Sequence, residues 1–155
     1  MLADPPYQYD RRWAVSREIE NHYPTMTTEA ICTLPVATLA TSNALLFLGA
    51  PAPLLTDALN VMTGWGFEYA TCAVWVKDRF GMGVDVRQQH ELLLIGKRGL
   101  GIVPDPSTLS SSVIEATRRK HSRKPDEAYE MIERMFPGPP KLELFARQTR
   151  SGWEA

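Results

Sequence analysis

Ala44-Leu45-Leu46-Phe47-Leu48 is an apolar run with no polar break, closed by Gly49. A strand with one wet face alternates apolar and polar residues, and a surface helix repeats its apolar residues every three or four positions. An unbroken run this short therefore reads as a strand buried on both faces and central in its sheet. Such a sheet needs helices on both sides, which restricts the chain to an α/β layer architecture. Pro51 or Pro53 can open a helix at its first turn, with Leu54, Leu55, Ala58, Leu59 and Met62 at helical spacing until Gly64 and Gly66 end it. Residues 67–77 and 90–97 read as further strands, with a weaker one over 112–117. From Pro125 a second helix is expected: Asp126 and Glu127 at its positive end, Tyr129, Ile132 and Phe136 on its buried face, and Gly138 as its stop. Leu142, Leu144 and Ala146 alternate with Lys141, Glu143 and Phe145 in a last strand. Residues 8–24 and 78–89 are polar and long enough to be functional loops.

A chain of 155 residues fits one domain over 1–155. Its longest apolar stretch, from Ala44 to Leu55, is broken by Gly49, Pro51 and Pro53 and falls short of the ~18 residues that span a bilayer, so no membrane partner is expected. Met1-Leu2-Ala3-Asp4 lacks the basic and apolar regions of a signal peptide, which makes cytoplasmic residence the expectation. Cys32 and Cys72 stand far apart with no CxxC and no paired His, and read as core thiols. His22 and His121 lack partners at ligand spacing, and no metal is expected. A net charge of -1 removes global basicity as a handle on nucleic acid, so any such contact must be local. Arg118-Arg119-Lys120-His121-Ser122-Arg123-Lys124 is dense enough in Lys and Arg to neutralise phosphates. Arg11, Arg12 and Trp13 lie in the first polar loop, and Lys77, Arg79 and Arg87 flank the second. These loops are the candidate frame for a bound base.

Asp4-Pro5-Pro6-Tyr7 carries the chemistry. Neither proline has an N–H, and Asp4 is pushed toward extended geometry by the proline after it, so the turn is rigid and offers acceptors: the Asp4 carboxylate and the backbone carbonyls. Two fixed acceptors suit an amine with two N–H bonds. The exocyclic amine of adenine is a poor nucleophile because its lone pair is delocalised into the ring, and acceptors aligned with both N–H bonds favour the pyramidal nitrogen that can attack a methyl group. Tyr7 adds an aromatic face for a base taken out of its stack. The same tetrapeptide also fits a plain strand end with Tyr7 in the core.

With Ala3-Asp4-Pro5-Pro6-Tyr7 stand, in order, Tyr23-Pro24-Thr25-Met26, Leu34-Pro35-Val36, Trp65-Gly66-Phe67, Val74-Trp75-Val76-Lys77, His90-Glu91-Leu92-Leu93-Leu94, Lys124-Pro125-Asp126-Glu127 and Glu143-Leu144-Phe145-Ala146-Arg147. In this ordered set the chain resembles the MT-A70-type N6-adenine methyltransferases over nearly its whole length. The resemblance implies a Rossmann-like methyltransferase fold, a mixed sheet flanked by helices, with S-adenosylmethionine as methyl donor and adenine in DNA or RNA as acceptor. It implies a catalytic role for Asp4, Pro5, Pro6 and Tyr7, cofactor contacts for Asp4, Lys124 and Arg147, and a place for Glu91 at the mouth of the site. Arg11, Arg12, Lys77, Arg87, Arg118, Arg119 and Lys120 complete the expected substrate contacts.

Two departures follow. Gln148-Thr149-Arg150 stands where the eukaryotic pattern has His-Asn after the Arg, while Ser151-Gly152-Trp153 is similar to the Pro-Gly-Trp of bacterial and phage relatives, which favours DNA. The chain also has little sequence before Asp4 and after Trp153 compared with relatives, so the resemblance implies a fold truncated at both ends, with weak cofactor binding or a homo- or heterodimeric partner. Two rivals are a catalytically silent subunit that presents nucleic acid, disfavoured by the intact Asp-Pro-Pro-Tyr, and a cytosine N4 methyltransferase, where Ser commonly replaces the Asp.

Overall fold

The computed structural model of the chain describes residues 1–9, 24–81, 83, 85–117 and 124–155. Within them the strands are β1 (Leu2–Ala3), β2 (Ala44–Ala50), β3 (Glu68–Val76), β4 (His90–Arg98), β5 (Val113–Glu115), β6 (Lys141–Leu144) and β7 (Trp153–Glu154), and the helices are α1 (Thr28–Cys32), α2 (Leu55–Gly64) and α3 (Asp126–Met135). The strands form one seven-stranded sheet in the order β5-β3-β4-β2-β1-β6-β7. β4 runs antiparallel to both its neighbours and the other pairings are parallel. Every strand but β4 therefore ends at one rim, and β4 begins there. This is the Rossmann-like, helix-flanked mixed sheet anticipated from the sequence.

β2 is buried from end to end, as its unbroken apolar run requires. Leu46, Leu48 and Ala50 face Ile31, Ala58, Val61, Met62 and Trp65 on the α1 and α2 side, whereas Leu45 and Phe47 face Ala128, Tyr129, Ile132 and Phe136 on the α3 side. α2 closes with the Phe67 amide donating to the Met62 carbonyl (3.0 Å) and the Gly66 amide to that of Thr63 (2.9 Å). Gly66 takes the left-handed conformation this cap requires, with φ 80°. Along α2 the buried positions are Ala58, Val61 and Met62, and Leu55 is turned outward.

Three features were not read from the sequence. α3 stops at Met135 and not at Gly138, because Pro137 cannot extend a helix and forces Phe136 out of it, to φ -135° and ψ 67°. The short helix α1 was not anticipated; the Thr27 hydroxyl caps it by accepting from the Ala30 amide (3.2 Å). β1 has two residues, fewer than the about five of a typical strand, and it holds its place through parallel ladders on both sides, to β2 and β6.

Candidate active site

Strand alternation decides where the Asp4 side chain goes. Ala3 packs on the α1 and α2 side and Leu2 on the α3 side, so Asp4 emerges at the rim on the α3 side. Pro5 and Pro6 end the strand. The Tyr7 amide donates to the Pro5 carbonyl (2.9 Å), the Met26 amide to the Pro6 carbonyl (2.8 Å) and the Gln8 amide to the Met26 carbonyl (2.9 Å), so the turn is tied down on both flanks. Tyr7 is swung to the opposite side and packs in the core at 4% exposure. Its hydroxyl is buried without a hydrogen-bond partner among the described residues, and burial, with Asp4, Asp57 and Cys32 nearby, holds the phenol well above its ordinary pKa. The open aromatic face expected of Tyr7 is thus covered in this structure.

Beside Asp4, the last residue before Pro125 and α3 reaches back over the sheet. The Lys124 ammonium lies 3.0 Å from Asp4 Oδ1 and 3.2 Å from Glu91 Oε2, and the Lys77 ammonium donates to Glu91 Oε1 at 2.6 Å. Lys124 is only 11% exposed. Burial by itself pushes its ammonium down, but Asp4 and Glu91 outweigh this and hold it above its ordinary value. Glu91 mirrors it: burial pushes the carboxyl up, and Lys124 and Lys77 bring it below the usual range. The result is an alternating chain, Lys77, Glu91, Lys124, Asp4, with Asp4 at its end. Among the described residues, the contacts to Asp4 fall on Oδ1.

Gly49 is the floor of this chain, and the sequence reading used it only to end a strand. A Cβ there would stand 2.5 Å from Asp4 Oδ1 and 2.9 Å from Lys124 Nζ. A glycine inside an otherwise bulky buried strand is the available signal, since it marks a close approach by another group. Trp75 forms the far wall: the Lys77 ammonium lies 4.8 Å from its ring centre, and its indole N–H donates to the Ala116 carbonyl at 3.0 Å. The structure thus gathers four expected site residues, Asp4, Lys77, Glu91 and Lys124, at one rim.

The remaining candidates are placed differently. Arg147 is exposed, beyond the end of β6, the strand beside β1. Arg87 is exposed in the connection between β3 and β4. Arg11, Arg12, Arg118, Arg119 and Lys120 lie outside the described residues, as do most of the first polar loop, His22 and His121. Among the described residues no group of three or more His, Cys, Asp or Glu could hold a metal ion, and no helix is long and apolar enough to cross a membrane.

A second ionic cluster lies under α3. Arg150 grips Glu133 with two bonds, 2.6 and 2.9 Å, while the Trp153 indole donates to the same carboxylate at 2.8 Å. The Arg150 hydrogen bond is the chief reason that the Glu133 carboxyl is pulled down to about 2. The Arg150 guanidinium stacks 4.9 Å from the Tyr129 ring centre, and Tyr129 donates to the buried Glu143 at 2.7 Å.

Comparison with known proteins adds to this geometry. A family described as MT-A70 matches residues 1–155. The chain is 29% identical over 172 residues to the type II methyltransferase M.MunI of Mycoplasma sp., covering 99% of this chain and 74% of the relative. It is 31% identical over 169 residues to an N(6)-adenosine-methyltransferase MT-A70-like protein of Arabidopsis thaliana and 31% identical over 165 residues to the human N(6)-adenosine-methyltransferase catalytic subunit METTL3. Those matches take in 99% and 95% of this chain, but only 22% and 25% of the two relatives.

Proposed function

The chain belongs to the MT-A70 family, and from that premise we propose that it transfers a methyl group from S-adenosylmethionine to the N6 of adenine in nucleic acid, with DNA as the preferred substrate. The observation that carries this reading is the Asp4 carboxylate at the strand-end rim, fixed by Lys124 above Gly49 and followed by a turn whose carbonyls are held in place. Open α/β sheets bind ligands outside the carboxyl ends of their strands, which is where Asp4 stands.

The donor set fits the cofactor. Asp4 and Lys124 pair an anion with a buried cation, and the amino-acid end of S-adenosylmethionine presents the complementary ammonium and carboxylate. When bound, the cofactor supplies an electrophilic methyl group on a sulfonium. The chain's own part is to orient the amine. Asp4 accepts one N–H of N6, and the Pro5 carbonyl, whose second lone pair is not used by the Tyr7 amide, accepts the other. Both acceptors favour the nitrogen geometry in which the lone pair leaves the ring plane, and both are fixed before substrate arrives. Lys124, 3.0 Å from Oδ1, fixes the orientation of the Asp4 side chain. Tyr7 anchors the turn through its pairing with Met26 and its ring in the core; stacking on the base requires that ring to be uncovered. Arg147 extends the cofactor side, while Arg87 and the basic residues 118–120 track phosphates.

DNA is favoured by Ser151-Gly152-Trp153, similar to the bacterial and phage form, and by the alignment of the bacterial relative over most of its length. The test is incubation with labelled cofactor and matched DNA and RNA pools, followed by digestion to nucleosides. N6-methyladenine from DNA is the expected product. Label in cytosine alone overturns the reading, and nucleic-acid binding without any methylation replaces it with the silent-subunit role.

A further inference from the structure

Lys77 was expected among the substrate contacts beside the second polar loop, but its surroundings describe a different task. Its backbone is clamped from both directions: its amide donates to the Gln89 carbonyl (2.8 Å), and the Gln89 side-chain amide donates to its carbonyl (2.9 Å). Its ammonium is folded inward over Trp75 and onto Glu91, leaving the side chain 16% exposed. Arg79, two residues on, has a side chain that is 84% exposed, as a residue reaching for a polyanion would be. Register puts Trp75 opposite Glu91 on the paired strands β3 and β4, so the hairpin itself delivers Lys77 to that carboxylate.

Building on the methyltransferase reading, we propose that Lys77 is a positioning residue for Asp4: by holding Glu91, it keeps the Lys124 ammonium shared between Glu91 and Asp4 and so fixes the acceptor carboxylate. Lys124 has two anions competing for it, at 3.0 and 3.2 Å. With Lys77 in place, Glu91 is largely neutralised and the competition is balanced. Without Lys77, Glu91 is a mostly buried anion left with Lys124 as its one cation among the described residues. Lys124 then moves toward it, since attraction in a poorly solvated site grows steeply as charge goes unscreened. Asp4 loses the donor that sets its rotamer, although nothing bound to Asp4 has been changed.

The experiment compares wild type, Lys77→Met, Lys77→Arg, Glu91→Gln and the Lys77→Met/Glu91→Gln double variant on an adenine-containing oligonucleotide that the wild type methylates. Lys77→Met should lower kcat by about tenfold or more with the nucleic-acid KM and the salt slope of binding unchanged, and Lys77→Arg should restore most of the rate. In the Glu91→Gln background the same Lys77→Met change should cost less than about twofold, because there is no stranded anion to pull Lys124 away. A salt slope reduced by about one, or a raised KM with kcat retained, would show a direct phosphate contact and overturn the proposal. So would equal losses in both backgrounds. A crystal structure of Lys77→Met decides the matter without activity: Lys124 is expected to have left Asp4, and finding the two still in contact refutes the positioning role. A wild type that methylates no adenine sinks the functional reading, whereas an active wild type beside an unaffected Lys77→Met sinks only this inference.

Discussion

Two ionic clusters among the described residues flank α3, and they are built to opposite plans. At the far cluster, Glu133 receives two bonds from Arg150 and one from Trp153, and the guanidinium is further covered by Tyr129. At the rim, each partner is shared along a line that ends in Asp4, whose described contacts fall on one oxygen. A carboxylate whose bonding capacity is consumed by its own protein holds structure together. One that is fixed from a single side while its other side faces the rim is placed to bind something else. The difference begins with the cation: the Arg150 fork and the Trp153 indole together fill Glu133, whereas at the rim each lysine ammonium is a point charge shared along the line.

The most direct way to break the comparison is to remove the open end. Asp4→Ala should reduce turnover by about a hundredfold to a thousandfold, the usual loss for one preorganised group, while the melting temperature changes by only about 1–2 °C because no core site is emptied. Methylation assays beside thermal unfolding check this, and residual activity within tenfold of wild type contradicts the acceptor role. Gly49→Ala comes next. Its Cβ would enter the space of Asp4 Oδ1 and Lys124 Nζ, so a loss of about tenfold or more in kcat is expected without touching an ionisable group. Gly138→Ala, where a Cβ meets nothing within 4 Å, is the control and should leave activity intact.

Removing charge from the other cluster should give the reverse pattern. Glu133→Gln is expected to cost about 1 kcal/mol of stability, limited because the side chains there are a quarter to a third exposed, and to leave kcat of the folded protein within about twofold. The pH dependence follows from the sign of the shift. A carboxyl whose pKa is lowered by folding stabilises the fold above its unfolded value near 4.5 and loses that contribution as pH falls toward about 2. The gap between wild type and Glu133→Gln in urea unfolding should therefore be constant from pH 6 upward and narrow below pH 4. A gap that persists at pH 2 would assign the effect to packing.

These contrasts also explain which parts were legible in the sequence. The run from Ala44 to Leu48 announced a doubly buried strand because burial on both faces leaves no polar position. Gly66, read with Gly64 as the end of α2, announced a helix stop because the cap needs a residue at positive φ. Asp4 was visible because two prolines after a carboxylate leave mainly acceptors. What could not be read was partnership across the sheet. Lys77 meets Glu91 only because the register of β3 on β4 sets Trp75 opposite Glu91, and a shift by one residue would have sent that carboxylate to the other face. Tyr7 was ambiguous for a related reason: the turn after Pro5 and its pairing with Met26 carry it into the core on the α1 and α2 side. Gly49 was legible as a strand residue but not as the floor under two side chains that arrive from β1 and from the start of α3.

Glu143 sharpens the comparison with the smallest effect, because it stands between the two clusters. It pairs in register with Leu2 of β1, next to the acceptor turn, and it accepts from Tyr129, which in turn carries Arg150. Burial pushes its carboxyl above the ordinary value, the Tyr129 hydrogen bond pulls it down, and Asp4 pushes it up again. An acid raised by folding costs stability once it ionises: the cost appears as pH rises through the unfolded value near 4.5, is complete above the raised value, and is absent in more acidic solution. Glutamine at this position keeps an oxygen for the Tyr129 hydroxyl and removes the charge. Glu143→Gln should therefore raise stability at pH 7 by about half a kcal/mol, with the advantage fading near pH 4. Thermal unfolding of both proteins across that range is the measurement. If the glutamine variant is instead less stable at pH 7, the Glu143 anion is needed by the cations around it, and the lock under α3 and the acceptor rim share one electrostatic unit through Tyr129.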